Sequence, residues 1–249
     1  MNRLTQVKGI SIVALLFCLV IVMQASDAEA KKIYSPIVEQ GAVELAYLLD
    51  YSVDNDPGKN GSARHQLELE YGVTDHWMTA IYGDFRKKPG KAFTYHAFKW
   101  ENIYQLFEQG KQWLDAGLYV EYALMQRALN QPDAVEFKLL LEKGDGAWTH
   151  TANFILKKEL GTNASNKIRA GYAWRSKWRW KRFMQPSIEL YGSFGELGNT
   201  RPLSQQSHQL GPVLIGKLRN GLSYEAGYLF GLTSNSDQGQ LKFILGYEF

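Results

Sequence analysis

The sequence predicts an all-β fold, an antiparallel up-and-down transmembrane β-barrel of about 12 strands that comes after a cleaved signal peptide. Three observations predict it. The chain opens on a secretory leader, alternates apolar and polar residues at period two through most of its remaining length, and closes with a strand that finishes on Phe249.

In the leader, Arg3 and Lys8 precede an apolar run from Ile10 to Met23, broken only by Ser11, and Ala28-Glu29-Ala30 supplies a small-x-small site. The run falls short of the about 20 residues that a spanning helix needs, so cleavage after Ala30 is expected rather than anchoring. Residues 1–30 are then the signal peptide and residues 31–249 an outer-membrane β-barrel domain. Phe17 stands before Cys18, where a lipoprotein signal requires a small residue. Cys18 is also the only cysteine, so the mature chain has no thiol for a disulfide or a metal. Cleavage removes Arg3 and Lys8 together with Asp27 and Glu29 and leaves the net charge at +3. That balance gives no reason to expect nucleic acid as a partner.

The strands are read from the alternation. Val43, Leu45, Tyr47, Leu49 and Tyr51 share one phase, and Leu114, Ala116, Leu118, Val120, Tyr122 and Leu124 share another. Val135 to Leu141 and Leu222 to Leu232 repeat the pattern, as strands with two unlike faces do. Turn residues divide it at roughly 42–53, 63–73, 77–86, 92–107, 113–127, 134–143, 147–160, 167–180, 183–197, 208–219, 222–233 and 240–249. The intervals broadly alternate between long (Asp54 to Ser62, Gly198 to Ser207) and tight (Gly144-Asp145-Gly146, Asn220-Gly221), as outer loops and periplasmic turns do. That topology brings Trp77, Trp113, Trp148, Trp178, Trp180 and Phe249 to the periplasmic rim, where an aromatic girdle belongs. In the last strand Leu241, Phe243, Leu245, Tyr247 and Phe249 form one face, which resembles the signal read by the outer-membrane insertion machinery.

No catalytic residues are expected. His150 has no serine two residues on, and His208 adjoins Ser207, whose side chain points to the opposite face. The chain is therefore expected not to be an enzyme. The five histidines are dispersed, and Asp54-Asn55-Asp56-Pro57-Gly58 departs from a calcium loop, so no metal site and no cofactor are expected.

The informative region is the lumen. Arg169, Arg175, Lys177 and Arg179 share the inward phase of their strand, and Glu68, Glu70, Asp115, Glu121, Glu136, Glu189 and Glu225 line the remaining wall. Two arrangements are open. A basic strip facing acidic walls steers a solute, or the charges pair across the lumen and plug it.

Several segments resemble a group of proteobacterial barrels gathered with the "MetA-pathway of phenol degradation" outer-membrane transporter family. They are Tyr34-Ser35-Pro36, Val38-Glu39-Gln40-Gly41, Lys99-Trp100-Glu101-Asn102, Leu140-Leu141-Glu142-Lys143, Gly211-Pro212-Val213-Leu214 and Gly227-Tyr228-Leu229-Phe230-Gly231-Leu232. The resemblance implies a barrel and a transport role, and it assigns no binding residue. The expected function is an outer-membrane channel or transporter for a small polar, charged or aromatic solute. The alternative is a non-conducting structural or binding barrel that acts through its outer loops. Expected partners are outer-membrane lipids, the insertion machinery and a small solute, after export through the periplasm to the cell outer membrane.

Overall fold

A computed structural model describes residues 31–249, and the leader expected at 1–30 lies outside the described residues. Period-two alternation becomes thirteen strands: β1 (Val43–Val53), β2 (Ala63–Gly72), β3 (Trp77–Lys87), β4 (Thr94–Gln105), β5 (Asp115–Met125), β6 (Asp133–Asp145), β7 (Trp148–Leu160), β8 (Ile168–Trp178), β9 (Gln185–Glu196), β10 (Asn199–Thr200), β11 (Ser207–Lys217), β12 (Leu222–Gly231) and β13 (Gly239–Glu248). Twelve of them close an antiparallel barrel, and the short β10 only extends β9. Closure is made by β1 against β13, in register from Glu44 opposite Glu248 to Val53 opposite Gly239. No backbone edge of the barrel is left unpaired, which a structure in lipid requires.

The two phases of each strand face opposite environments, and the apolar one faces out. Leu67, Leu69, Ile81, Trp100 and Phe137 are exposed, while Glu68, Tyr82, Glu101 and Glu136 are buried. A water-soluble β-sandwich would bury the first set. A barrel solvated by lipid exposes it. No helix among the described residues is long and apolar enough to cross a membrane, so any crossing is made by strands.

Both ends of the barrel chain, Val43 and Phe249, meet at one rim, where Phe249 N–H donates to Val43 O at 3.0 Å. The expected aromatics gather there. Trp148 and Trp178 are cross-strand partners with rings 6.4 Å apart, Trp178 stacks on Trp180 at 5.6 Å, and Trp77 and Trp113 are exposed beside them in strand order.

Strand limits fall within two residues of those read from the sequence. The loops depart more. The connection from β4 to β5, Leu106 to Leu114, is long although it lies on the rim of tight turns. In β9, Phe194 is left unpaired where Ala170 faces Gly195 and Gly171 faces Ser193, a bulge just before the residues that pair with β10.

Candidate functional site in the barrel lumen

Residues 31–38 carry no alternation, and the fold places them inside the barrel. Tyr34 shows how the segment is held. Its N–H donates to Asn153 Oδ1 and its carbonyl accepts from Asn153 Nδ2, both at 2.8 Å, so one side-chain amide completes the backbone pairing that a neighbouring strand would supply. Further along, Val38 N–H donates to Gln105 Oε1 at 2.8 Å. At the start, Lys31 N–H donates to Asp50 Oδ2 at 3.2 Å, and Tyr191 Oη–H donates to Lys31 O at 3.1 Å. Apolar contacts hold its other side chains. Ile33 packs with Ala173, Tyr191, Val213 and Leu229, and Tyr34 packs with Ile103, Tyr119 and Leu140. Gly117 is required by the segment, because a Cβ there would come within 2.9 Å of Pro36 Cβ.

Lumenal charge is organised as local clusters rather than as a basic strip opposite an acidic wall. Arg175 Nη2 lies 2.6 Å from both Glu189 and Glu225, and Lys242 Nζ lies 2.9 Å from Glu189 and 2.6 Å from Glu225. Tyr191 adds a hydroxyl bond to Glu189 Oε2 at 2.6 Å. A second group joins Lys99 to Glu121 at 2.6 Å and Lys138 to Glu136 at 2.9 Å, with Lys157 3.8 Å from Glu136. Lys138 also sits over the rings of Tyr34 and Tyr119, at 4.2 and 4.0 Å. The third group binds the segment itself: Lys32 Nζ donates to both oxygens of Glu68 at 2.8 Å and to Glu70. Removing one partner of such a buried pair costs about 3–5 kcal/mol, because the other charge is left uncompensated.

Glu68, Glu70, Glu121, Glu136, Glu189, Glu225 and Arg175 thus meet in these clusters. Arg169 pairs with Glu159 at 3.2 Å nearer the opposite rim. Lys177 is half-buried on β8, one inward position from Arg175. Asp115 sits at the mouth of β5 and accepts from Gly110 N–H at 2.7 Å. Arg179 is not in the lumen: β8 ends at Trp178, and the exposed guanidinium turns back to donate to Gly146 O in the β6–β7 turn. Lumenal cations absent from the set expected on sequence include Arg64, Lys99, Lys138, Lys157 and Lys242. Their signal is there, since each shares its strand phase with an inward acid or lies opposite a lipid-facing apolar set.

His150 corrects a further expectation. Its Nδ1 lies 2.9 Å from Ser176 Oγ, and that oxygen also accepts from Trp174 Nε1 at 2.9 Å. The serine absent along β7 comes from β8, where Ser176 is the register partner of His150. Spacing along a single strand cannot reveal such a pair, because its members become neighbours only when the strands pair.

No protein-family model and no curated protein matches the chain. Structural neighbours are outer-membrane β-barrels. A chain from a study of in-meso crystallisation of membrane proteins is 10% identical with a TM-score of 0.47, covering 83% of this chain and 84% of that one. A bacterial polysaccharide outer-membrane secretin is 9% identical with a TM-score of 0.45, covering 83% and 98%. LpxR from Salmonella typhimurium is 9% identical with a TM-score of 0.41, covering 83% and 100%. Likenesses this distant carry no substrate or activity across to this chain. LpxR is an outer-membrane lipid A deacylase, so barrels of this general form include enzymes. The expectation that the chain is not an enzyme is therefore withdrawn, and its premise, that no nucleophile and base meet, fails at His150 and Ser176.

Proposed function

We propose that this protein is a narrow outer-membrane channel whose lumen is held shut by its own residues 31–38. The observation that carries the reading is the manner of attachment. The segment is held by side chains from separate strands, Asp50, Glu68, Asn153 and Gln105, and continues no strand ladder. Such a segment can leave without unzipping the barrel, and it would uncover a lumen lined by carboxylates, ammonium groups and tyrosines. The resemblance to outer-membrane transporters supports passage and leaves the solute open. Cleavage after Ala30, part of the same proposal, would turn the Lys31 nitrogen into an ammonium beside Asp50.

Planar-bilayer recording tests the reading on the refolded protein and on a variant lacking residues 31–38. The native barrel is expected to show rare openings and the deletion variant steady conductance. Silence from both, with each barrel shown to be folded, would sink it. Such silence would favour the second reading, a non-conducting barrel acting through its outer loops, to which the near-complete pairing of lumenal charge lends weight.

A further inference from the structure

Glu68 and Glu70 stand two apart on β2 and therefore face the lumen together. Glu101 reaches the same place from β4. Between them on β3 lies Ala80, the register partner of both Glu70 and Glu101, and its small side chain leaves room for carboxylates to lean over it. One oxygen from each of the three groups falls within 4.8 Å of the others. Glu68 and Glu101 are fully buried. Glu101 Oε2 accepts from Tyr82 Oη–H, whereas Glu101 Oε1 is buried with no hydrogen-bond partner. The cluster holds a cation already, the ammonium of Lys32, which engages Glu68 and Glu70 but forms no hydrogen bond to the free oxygen of Glu101.

The geometry points to a cation site of this barrel at Glu68, Glu70 and Glu101, with Lys32 as a tethered occupant that a hard divalent cation displaces. Three carboxylates against a single ammonium leave formal negative charge uncompensated. An all-oxygen set suits a flexible hard ion such as Ca2+ better than a transition metal. Access is present beside Lys32, where a cavity of about 250 Å3 is lined by Glu70 and by two further carboxylates, Glu44 and Glu248. Those acids raise the local concentration of cations at the mouth of the site. The site deepens the channel reading, since expelling Lys32 would loosen residues 31–38 and leave a cation-preferring constriction. Binding itself needs no conduction, so each idea can fail alone.

The test is calorimetric titration of Ca2+ into the full barrel refolded in detergent, for the native protein, Lys32→Met, and Lys32→Met with Glu101→Gln. Lys32→Met should bind one Ca2+ at least tenfold more tightly than the native protein, and Glu101→Gln should remove that gain. Equal affinity in native and Lys32→Met barrels, or a gain indifferent to Glu101→Gln, overturns the site. Should Lys32→Met fail to fold, the native protein still decides. Millimolar Ca2+ must speed acylation of Lys32 by an amine-directed reagent several-fold, and an unchanged rate overturns the proposal.

Discussion

Asn153 carries out with one side chain what a β-ladder does with a strand. Both its amide groups are spent on the backbone of Tyr34, and it is almost wholly buried. Asn153→Leu keeps similar volume and strands the Tyr34 N–H and C=O inside the lumen, at about 1–3 kcal/mol for each unsatisfied group. The expected outcome is a less stable closed state, read as more frequent openings in single-channel records and faster proteolysis after residue 31. Openings at the native frequency would show that Asn153 does not hold the segment. Lys242 makes a sharper case on the other wall. It is 2% exposed and stands between Glu189 and Glu225. Lys242→Met leaves two carboxylates to share Arg175, and the barrel should lose about 3–5 kcal/mol in urea unfolding monitored by gel mobility. The inward face of Lys242 was readable, because Leu241 and Phe243 fix the opposite phase of β13. Its partner Glu189 was not, because the pair reaches across the lumen between strands that never pair, β9 and β13 being separated by β11 and β12. Glu189 lies 53 residues away in sequence.

At the scale of elements, strands were legible and residues 31–38 were not. A strand between lipid and a charged lumen must alternate, and that alternation places its limits to within two residues. Residues 31–38 have no second face to declare, and Tyr34 meets Asn153 across 119 positions. The small residues that admit the segment, Gly117 above all, read in sequence as ordinary strand glycines. Loops show a related limit. Asp54, in the β1–β2 connection, accepts from Asp56 N–H at 2.8 Å and from Gln238 N–H, in the β12–β13 connection, at 3.0 Å. Burial acts to raise its pKa, but those backbone donors outweigh burial and hold the carboxyl below its usual value. A lowered carboxylate pKa means that the contact is at full strength near neutral pH and is lost as pH falls through that lowered value. The amide resonance of Gln238 should therefore move on acidification below about pH 4, the ordinary Asp range, and lose that response in Asp54→Asn. A titration unchanged by Asp54→Asn would show that the two loops are not joined through this group.

For the whole molecule, the apolar phase faces lipid, so the barrel interior has little apolar burial to stabilise it. Paired charge and the inserted segment fill it instead. On the proposed channel reading, the same strands would admit two lumens, one closed with residues 31–38 inside and one open without them. On that reading, the balance between them would depend on whether the chain is cleaved before Lys31. With the peptide bond before Lys31 intact, the Lys31 nitrogen offers Asp50 a neutral N–H donor. After cleavage it would offer an ammonium, and a charge-assisted hydrogen bond is roughly twice as strong as a neutral one. Asp50 is 8% exposed and is the register partner of both Arg64 and Lys242, so an added positive end would complete a cluster on that wall. The prediction is twofold. Intact mass of the protein extracted from outer membranes should begin at Lys31. A barrel refolded with extra residues ahead of Lys31 should open more often than the processed form, because those residues must occupy the lumen or pull Lys31 from Asp50. Asp50→Asn should erase the difference between the two forms. If both open equally before that substitution is made, the N-terminal ammonium plays no part in closing the barrel.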